Sequence, residues 1–238
     1  MDHTLIYGNS RDLGGTQIAM AYLKWQQIKT NDFSEQNINS LYADGFLFGR
    51  LGRGIMDQTR SVRIDLFDFQ LSSENRRILK KTEGVEITNK ALPYFSYDWK
   101  IGKLGKDFYD TKFGEKTFSA NKLKELLTDR IKSNFNKLLI YKLNNLEKIL
   151  GYAICLETNE ILHYSYPFYE LNTEIPNLGI GMMLRAILWA QETNKRYIYL
   201  GSAQRPSDIY KLQFEGLEWF DGKNWQTDLI KLKAILAK

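Results

Sequence analysis

The sequence predicts a mixed α/β fold with a mostly antiparallel sheet, and three observations carry that prediction. With 43% of its 238 residues hydrophobic, the chain can bury a sizeable core. Three apolar runs, KLLIYKLN, KILGYAICLE and ILHYSYPFYEL, follow one another with only turns between them, as antiparallel strands do. A glycine-led apolar helix, LGIGMMLRAILWAQ, then precedes a fourth strand, RYIYLGS.

Taken in order, GTQIAMAYLKWQQIKT reads as an amphipathic helix, because Ile18, Ala21, Tyr22 and Trp25 recur at helical spacing. The segment from NINSLYADG to DFQLS alternates apolar and polar residues with glycine breaks, which predicts short antiparallel strands. SSENRRILKK begins a short helix with Ser72 or Ser73 as N-cap. Thr88 to Gly114 is rich in Tyr, Phe, Gly and Lys without a clean period, and is the expected join between a smaller N-terminal α/β lobe, 1–110, and a C-terminal domain, 111–238. SANKLKELLTDRIKS has a serine N-cap and Leu123, Leu126, Leu127 and Ile131 on one face, so it is expected to be a helix. After RYIYLGS come a short helix around SDIYKLQF, a strand or turn at EWFDGKNW and a C-terminal helix, TDLIKLKAIL.

Composition narrows the chemistry. A net charge of +5 is a mild bias toward polyanionic partners. One cysteine, Cys155, excludes an internal disulfide framework, and only His3 and His163 accompany it, so no metal is expected. The N-terminus lacks the pattern of a secretory signal, and no apolar run approaches the roughly 20 residues of a membrane span. The expected location is the cytoplasm, with no membrane partner.

IPNLGIGMML contains GxGxxL, without the third glycine of a dinucleotide loop, and no GxxxxGK occurs anywhere. Gly179 and Gly181 either turn a corner into a buried helix or let a ligand approach free helix N–H groups. Arg76 and Arg77 head a run of four cations that either forms a solvated helix face or meets phosphate. Tyr199 ends a strand beside which ligands bind in open sheets, or packs with its hydroxyl at the surface. Tyr210 and Lys211 follow on a short helix, where a phenol can protonate a leaving group and an ammonium can bind phosphate or stabilise developing charge. The bland account of Tyr210 groups it with Phe214, Trp219 and Trp225 in an aromatic cluster.

The order of these elements resembles the acyltransferase fold of the GNAT superfamily, in which ligand sits where two strands splay beneath a glycine-led helix. More narrowly, the chain resembles the leucyl- and arginyl-tRNA protein transferases of the N-end rule. Their FYDP, RSLGT, YLGY and YKAxF segments and their closing acidic residue and G-W match Phe168-Tyr169-Glu170-Leu171, Pro176 to Ile180, Tyr199 to Ser202, Tyr210 to Phe214, Glu218, Gly222 and Trp225. The family's RVxVxxFxxSxSQRR corresponds to Arg63 to Arg77. Its N-terminal cysteine cluster is absent, its GFRRSG is Gly45 to Arg50, its FYDP aspartate is Glu170 and its RSLGT arginine is Pro176.

The resemblance implies aminoacyl transfer from aminoacyl-tRNA to the N-terminal amine of a protein or peptide, with altered specificity and no cofactor. It assigns Glu170 as base or amine binder and Tyr210 as acid or orienting hydroxyl. Asn177, Leu178, Gly179, Ile180 and Gly181 would bind the donor end, with Tyr199 and Lys211, while Arg76 and Arg77 would meet tRNA phosphate. Two alternatives stand beside it: an acetyl-CoA-dependent N-acetyltransferase, whose [QR]xxGxG loop keeps both glycines here but meets Pro176 at its first position, and a non-catalytic relative.

Overall fold

In the computed structural model, which describes residues 4–5, 23–144 and 148–237, two sheets share the molecule. The smaller runs β1 (Thr4–Leu5), β2 (Gln26–Lys29), β4 (Ile55–Gln58), β3 (Phe46–Phe48), all antiparallel. The larger has eight strands in the order β12-β11-β5-β10-β9-β8-β7-β6. These are β5 (Ser61–Asp65), β6 (Val85–Ala91), β7 (Lys137–Leu143), β8 (Lys148–Glu157), β9 (Ile161–Tyr169), β10 (Tyr197–Ser202), β11 (Leu217–Phe220) and β12 (Trp225–Gln226). Every pair is antiparallel except β9 with β10, giving the mixed sheet that the sequence predicts. It draws strands from both sides of residue 110.

Helices cover both faces of this sheet. Beneath α2 (Ser73–Lys81), α5 (Leu178–Glu192) and α6 (Leu229–Leu236) lies one core, with Leu139, Ala153, Met182, Ile187 and Leu232 fully buried. On the other face, α1 (Glu35–Ala43), α3 (Trp99–Phe113), α4 (Ala120–Thr128) and the small sheet close a second core around Tyr42, Leu123, Leu127, Leu138 and Ile154. A strand buried on both faces has no reason to alternate, which is why β7 and β8 read as continuous apolar runs.

Ser72 is the N-cap of α2 and Ser119 that of α4, each side chain accepting a backbone N–H three residues on. Four expectations of local structure are corrected. NINSLYA is helical: Ser34 caps α1, and Ile38, Leu41 and Tyr42 form its buried stripe. Gln26–Lys29 is strand β2, while residues 15–22 of the expected first helix lie outside the described residues. The aperiodic stretch from Thr88 holds the second half of β6, which pairs with β7 at seven positions, and the whole of α3. Two of the five buried residues of α3 are Gly102 and Gly105, so its stripe is invisible to a count of apolar residues. Ile131 falls beyond the end of α4 and is 83% exposed.

α5 is apolar on nearly every side, and its one arginine fastens it. Arg185 donates from Nε to Val85 O, from Nη1 to Thr82 Oγ1 (2.7 Å) and from Nη2 to Thr82 O (2.6 Å), tying the helix to the α2–β6 turn. Replacing Arg185 by Met strands two half-buried carbonyls and is expected to lower unfolding free energy by about 3 kcal/mol. Urea titration checks this as a fall in midpoint at unchanged slope.

Candidate functional site

β9 and β10 are paired at only three positions: Tyr197↔Ile161, Ile198↔Leu162 and Tyr199↔His163. Past these, β9 stays with β8 as far as Gly151↔Tyr169, whereas β10 stays with β5 through an irregularity that ends at Ser202↔Ser61. Two strands that twist apart with no ladder between them leave a wedge. Within it β9 carries a bulge: Cys155 faces Tyr164 and Ile154 faces Tyr166, so Ser165 is an extra residue. The bulge sends Tyr164 into the core under α5 and Tyr166 into the opposite core.

The start of α5 is joined to the end of β9. A Cβ on Gly179 would stand 2.4 Å from the Tyr169 hydroxyl, and one on Gly181 would stand 2.6 Å from Thr82 Cγ2. Both glycines therefore serve close protein packing. The helix N-terminus is nonetheless open. Asn177, in the left-handed region at φ 61°, makes no side-chain cap bond, and the first intrahelical bond is from Gly181 N to Asn177 O, 2.9 Å. Among the described residues the N–H groups of Leu178, Gly179 and Ile180 have no protein acceptor, which leaves them available to an anion or a polarised oxygen.

From the far side of β10, the 3₁₀ helix η1 (Pro206–Gln213) brings Lys211 and Tyr210. Lys211 is buried, with Nζ donating to Ser202 O at 2.7 Å and standing 3.9 Å from Asp208 Oδ1. Burial lowers its pKa, Asp208 offsets part of that, and Arg205 adds to the lowering. At the closed end of the wedge, His163 Nδ1 lies 2.9 Å from the Tyr42 hydroxyl. Burial, with the Lys211 ammonium as a second cause, pushes His163 down to about 3, so the imidazole is neutral near pH 7. Burial raises the Tyr210 phenol above its ordinary value, and Asp208 and Tyr169 raise it further, so it is fully protonated near neutrality. The ring of Tyr210 remains partly open to solvent.

α3 forms the adjoining wall: Phe108 meets Tyr169 at 4.7 Å between centroids, Tyr109 stacks on Phe113 at 5.6 Å, and Arg205 of the η1 N-cap lies 5.7 Å over Phe113. The structure thus brings the α5 N-terminus, Tyr169, Tyr210 and Lys211 to one opening. Glu170 follows β9 directly and accepts the Asn172 N–H at 3.2 Å. Tyr199 lies in the core: it is 1% exposed, its ring packs on Tyr42 and Trp225, and Arg63 donates to its hydroxyl at 3.2 Å. Arg76 and Arg77 sit on exposed α2, where Arg77 pairs with Glu74 and Arg76 donates to Leu71 O. His163, Tyr164 and the bulge at Ser165 were missed by sequence reasoning. The alternation in HYSYPFY is the only trace of them, and a bulge erases its meaning.

Two measurements probe this geometry. Gly179→Ala is expected to cost about 2 kcal/mol by overpacking against Tyr169, and Tyr169→Phe should recover part of it in a double-mutant cycle. His163 has a folded pKa below its unfolded value of 6.5, so the unfolded chain gains the proton first and stability falls as pH drops below 6.5 toward 3. Between pH 6 and 5 its contribution to that loss should approach 1.4 kcal/mol per pH unit, about one proton's worth, and His163→Gln should remove it from a series of denaturant midpoints.

Comparison with known proteins places the geometry in context. Residues 94–221 match the family described as "Arginine-tRNA-protein transferase, C terminus", over half of the chain. An aspartate/glutamate leucyltransferase of Xylella fastidiosa is 35% identical over 81 residues, which is 33% of this chain and 32% of that protein. The match thus spans about a third of the length of that relative. The same-named protein of Saccharophagus degradans is 24% identical over 179 residues, 70% of each chain. Among solved structures, the GCN5-related glucosamine N-acetyltransferase region of a fungal multi-domain β-N-acetylglucosaminidase superposes with a TM-score of 0.47 at 8% identity, covering 87% of this chain and 24% of that one. No helix among the described residues is long and apolar enough to cross a membrane. The chain belongs to the arginine-tRNA-protein transferase C-terminus family.

Proposed function

We propose that this protein transfers an aminoacyl group from the 3′ ester of aminoacyl-tRNA to the N-terminal amine of a protein or peptide. The observation that supports this reading best is the wedge between β9 and β10, where the uncapped α5 N-terminus, Lys211 and Tyr210 converge. An ester is already activated, so the protein has to hold two reactants together and support the charge that develops on the carbonyl oxygen. Backbone N–H groups from Leu178 to Ile180 bind that oxygen or the terminal adenosine. Lys211, enclosed rather than surface-exposed, acts on developing charge instead of on a distant phosphate.

In the proposed step the amine nitrogen forms a bond to the ester carbon, and the bond to the 3′ oxygen breaks. Glu170 takes up the proton lost by the attacking ammonium. Tyr210, whose raised pKa keeps the phenol protonated, gives a proton to the departing oxygen and regains one from the nitrogen as the amide forms. No covalent enzyme intermediate is needed, and His163, bonded to Tyr42, activates no nucleophile. Arg76 and Arg77, on the helix packed beside α5, reach toward the acceptor stem. Charged tRNA places the reaction in the cytoplasm. The names of the relatives make leucine the first donor to try and peptides beginning with aspartate or glutamate the first acceptors.

Purified protein incubated with peptides of varied N-terminal residue and either total charged tRNA or acetyl-CoA gives the test. An added aminoacyl mass is the expected product; an acetylated product alone, or none, overturns the reading. Tyr210→Phe should slow aminoacyl transfer about 100-fold while the protein stays folded.

A further inference from the structure

A second opening lies at the other end of the sheet, where β8 turns into β9. It is a cavity of about 490 Å³, walled by Phe33, Arg53, Pro93, Arg130, Phe135 and the end of β8 with Thr158 after it, and shares no residue with the wedge. That is within the range of about 300–1,000 Å³ that holds small molecules. Arg53 is held in place with care. Its neighbours Gly52 and Gly54 both have φ of +78°, and a Cβ on Gly54 would stand 2.1 Å from Thr30 O, so the loop admits no side chain there. Asn134, 4% exposed, accepts the Gly54 N–H at 2.8 Å and donates to Gly52 O at 2.9 Å and Gly49 O at 3.2 Å.

The guanidinium so positioned has no carboxylate partner. It lies 3.6 Å over the Phe33 ring and donates from Nη1 to Ser133 O, leaving Nε and Nη2 without an acceptor among the described residues. Arg130, on the same cavity, has no hydrogen bond or ion pair among the described residues and stands close enough to repel Arg53. The three carboxylates of the wall are engaged elsewhere: Glu157 with Lys137 and Lys195, Asp129 with Lys132 and two N–H groups, and Glu35 with the Asn159 N–H at the start of α1. Two guanidiniums at one cavity without a carboxylate partner repel one another, and a dianion between them removes that repulsion.

We propose that this cavity binds a small phosphate monoester, its phosphoryl group between Arg53 and Arg130 and its apolar or planar part against Phe33, Pro93 and Phe135. A monoester carries nearly two charges and three acceptor oxygens, which suits two forks better than a single carboxylate does. The site is independent of aminoacyl transfer, and its test needs no catalysis.

Calorimetric titration with phenyl phosphate tests it. Saturable binding is expected. Arg130→Gln should weaken it at least tenfold with no change in melting temperature, since Arg130 holds nothing else. Arg53→Lys, which keeps the charge and loses the fork, should weaken it several-fold. Lys124→Gln, on α4 and outside the cavity, should leave it unchanged. No saturable binding, undiminished binding to Arg130→Gln, or equal affinity for a dinucleotide that has a phosphodiester and no terminal phosphate would each overturn the assignment.

Discussion

Three rungs of parallel pairing between β9 and β10 organise this protein. Every other pairing between the described strands of both sheets is antiparallel, whereas a parallel neighbour requires a crossover, and α5 supplies it. Because each strand also has an antiparallel partner on its other side, twist pulls the two apart once the three rungs end. The opening that results is a product of the sheet's own geometry rather than of any loop. It puts the first turn of the crossover helix, with its unsatisfied N–H groups, at the place where the two strands part.

The same constraint explains the chemistry of the groups nearby. Lys211 enters from η1 to satisfy a backbone carbonyl that β10 no longer shares with β9, and its burial there lowers its pKa. His163, the last residue of β9 paired with β10, is enclosed by Tyr42 on one side and affected by Lys211 on the other, and so remains neutral. A positive charge and a neutral imidazole can share this space only if the imidazole stays unprotonated. Tyr210 sits further out, where part of its ring meets water and its phenol does not readily ionise.

The double-glycine segment shows how one motif can satisfy two demands. Gly179 and Gly181 look like a ligand-binding loop, and each is required by a protein neighbour, Tyr169 or Thr82. That requirement brings the helix start down onto β9, and Asn177 contributes no side-chain cap. The packing role and the open N-terminus are therefore one arrangement. Pro176 carries no charge, which leaves any attraction of this turn for an anion to its backbone N–H groups.

By itself the sequence determined the order of elements from residue 119 onward, the caps at Ser72 and Ser119, the apolar crossover helix and the resemblance to tRNA-dependent transferases. These depend on local periodicity, on hydrogen bonds within one turn and on short motifs, all of which a linear string records. It concealed α3, because two members of the helix's buried stripe are glycines, and misread α1, whose stripe lies among polar residues. Only the tertiary structure decided that Tyr199 belongs to the core, that a bulge at Ser165 divides the tyrosines of β9 between two faces, and that Arg53 and Arg130 share a cavity. Each of these turns on register or on contacts between distant segments, and a one-residue shift in register, which no composition reveals, reverses the face on which a side chain lies.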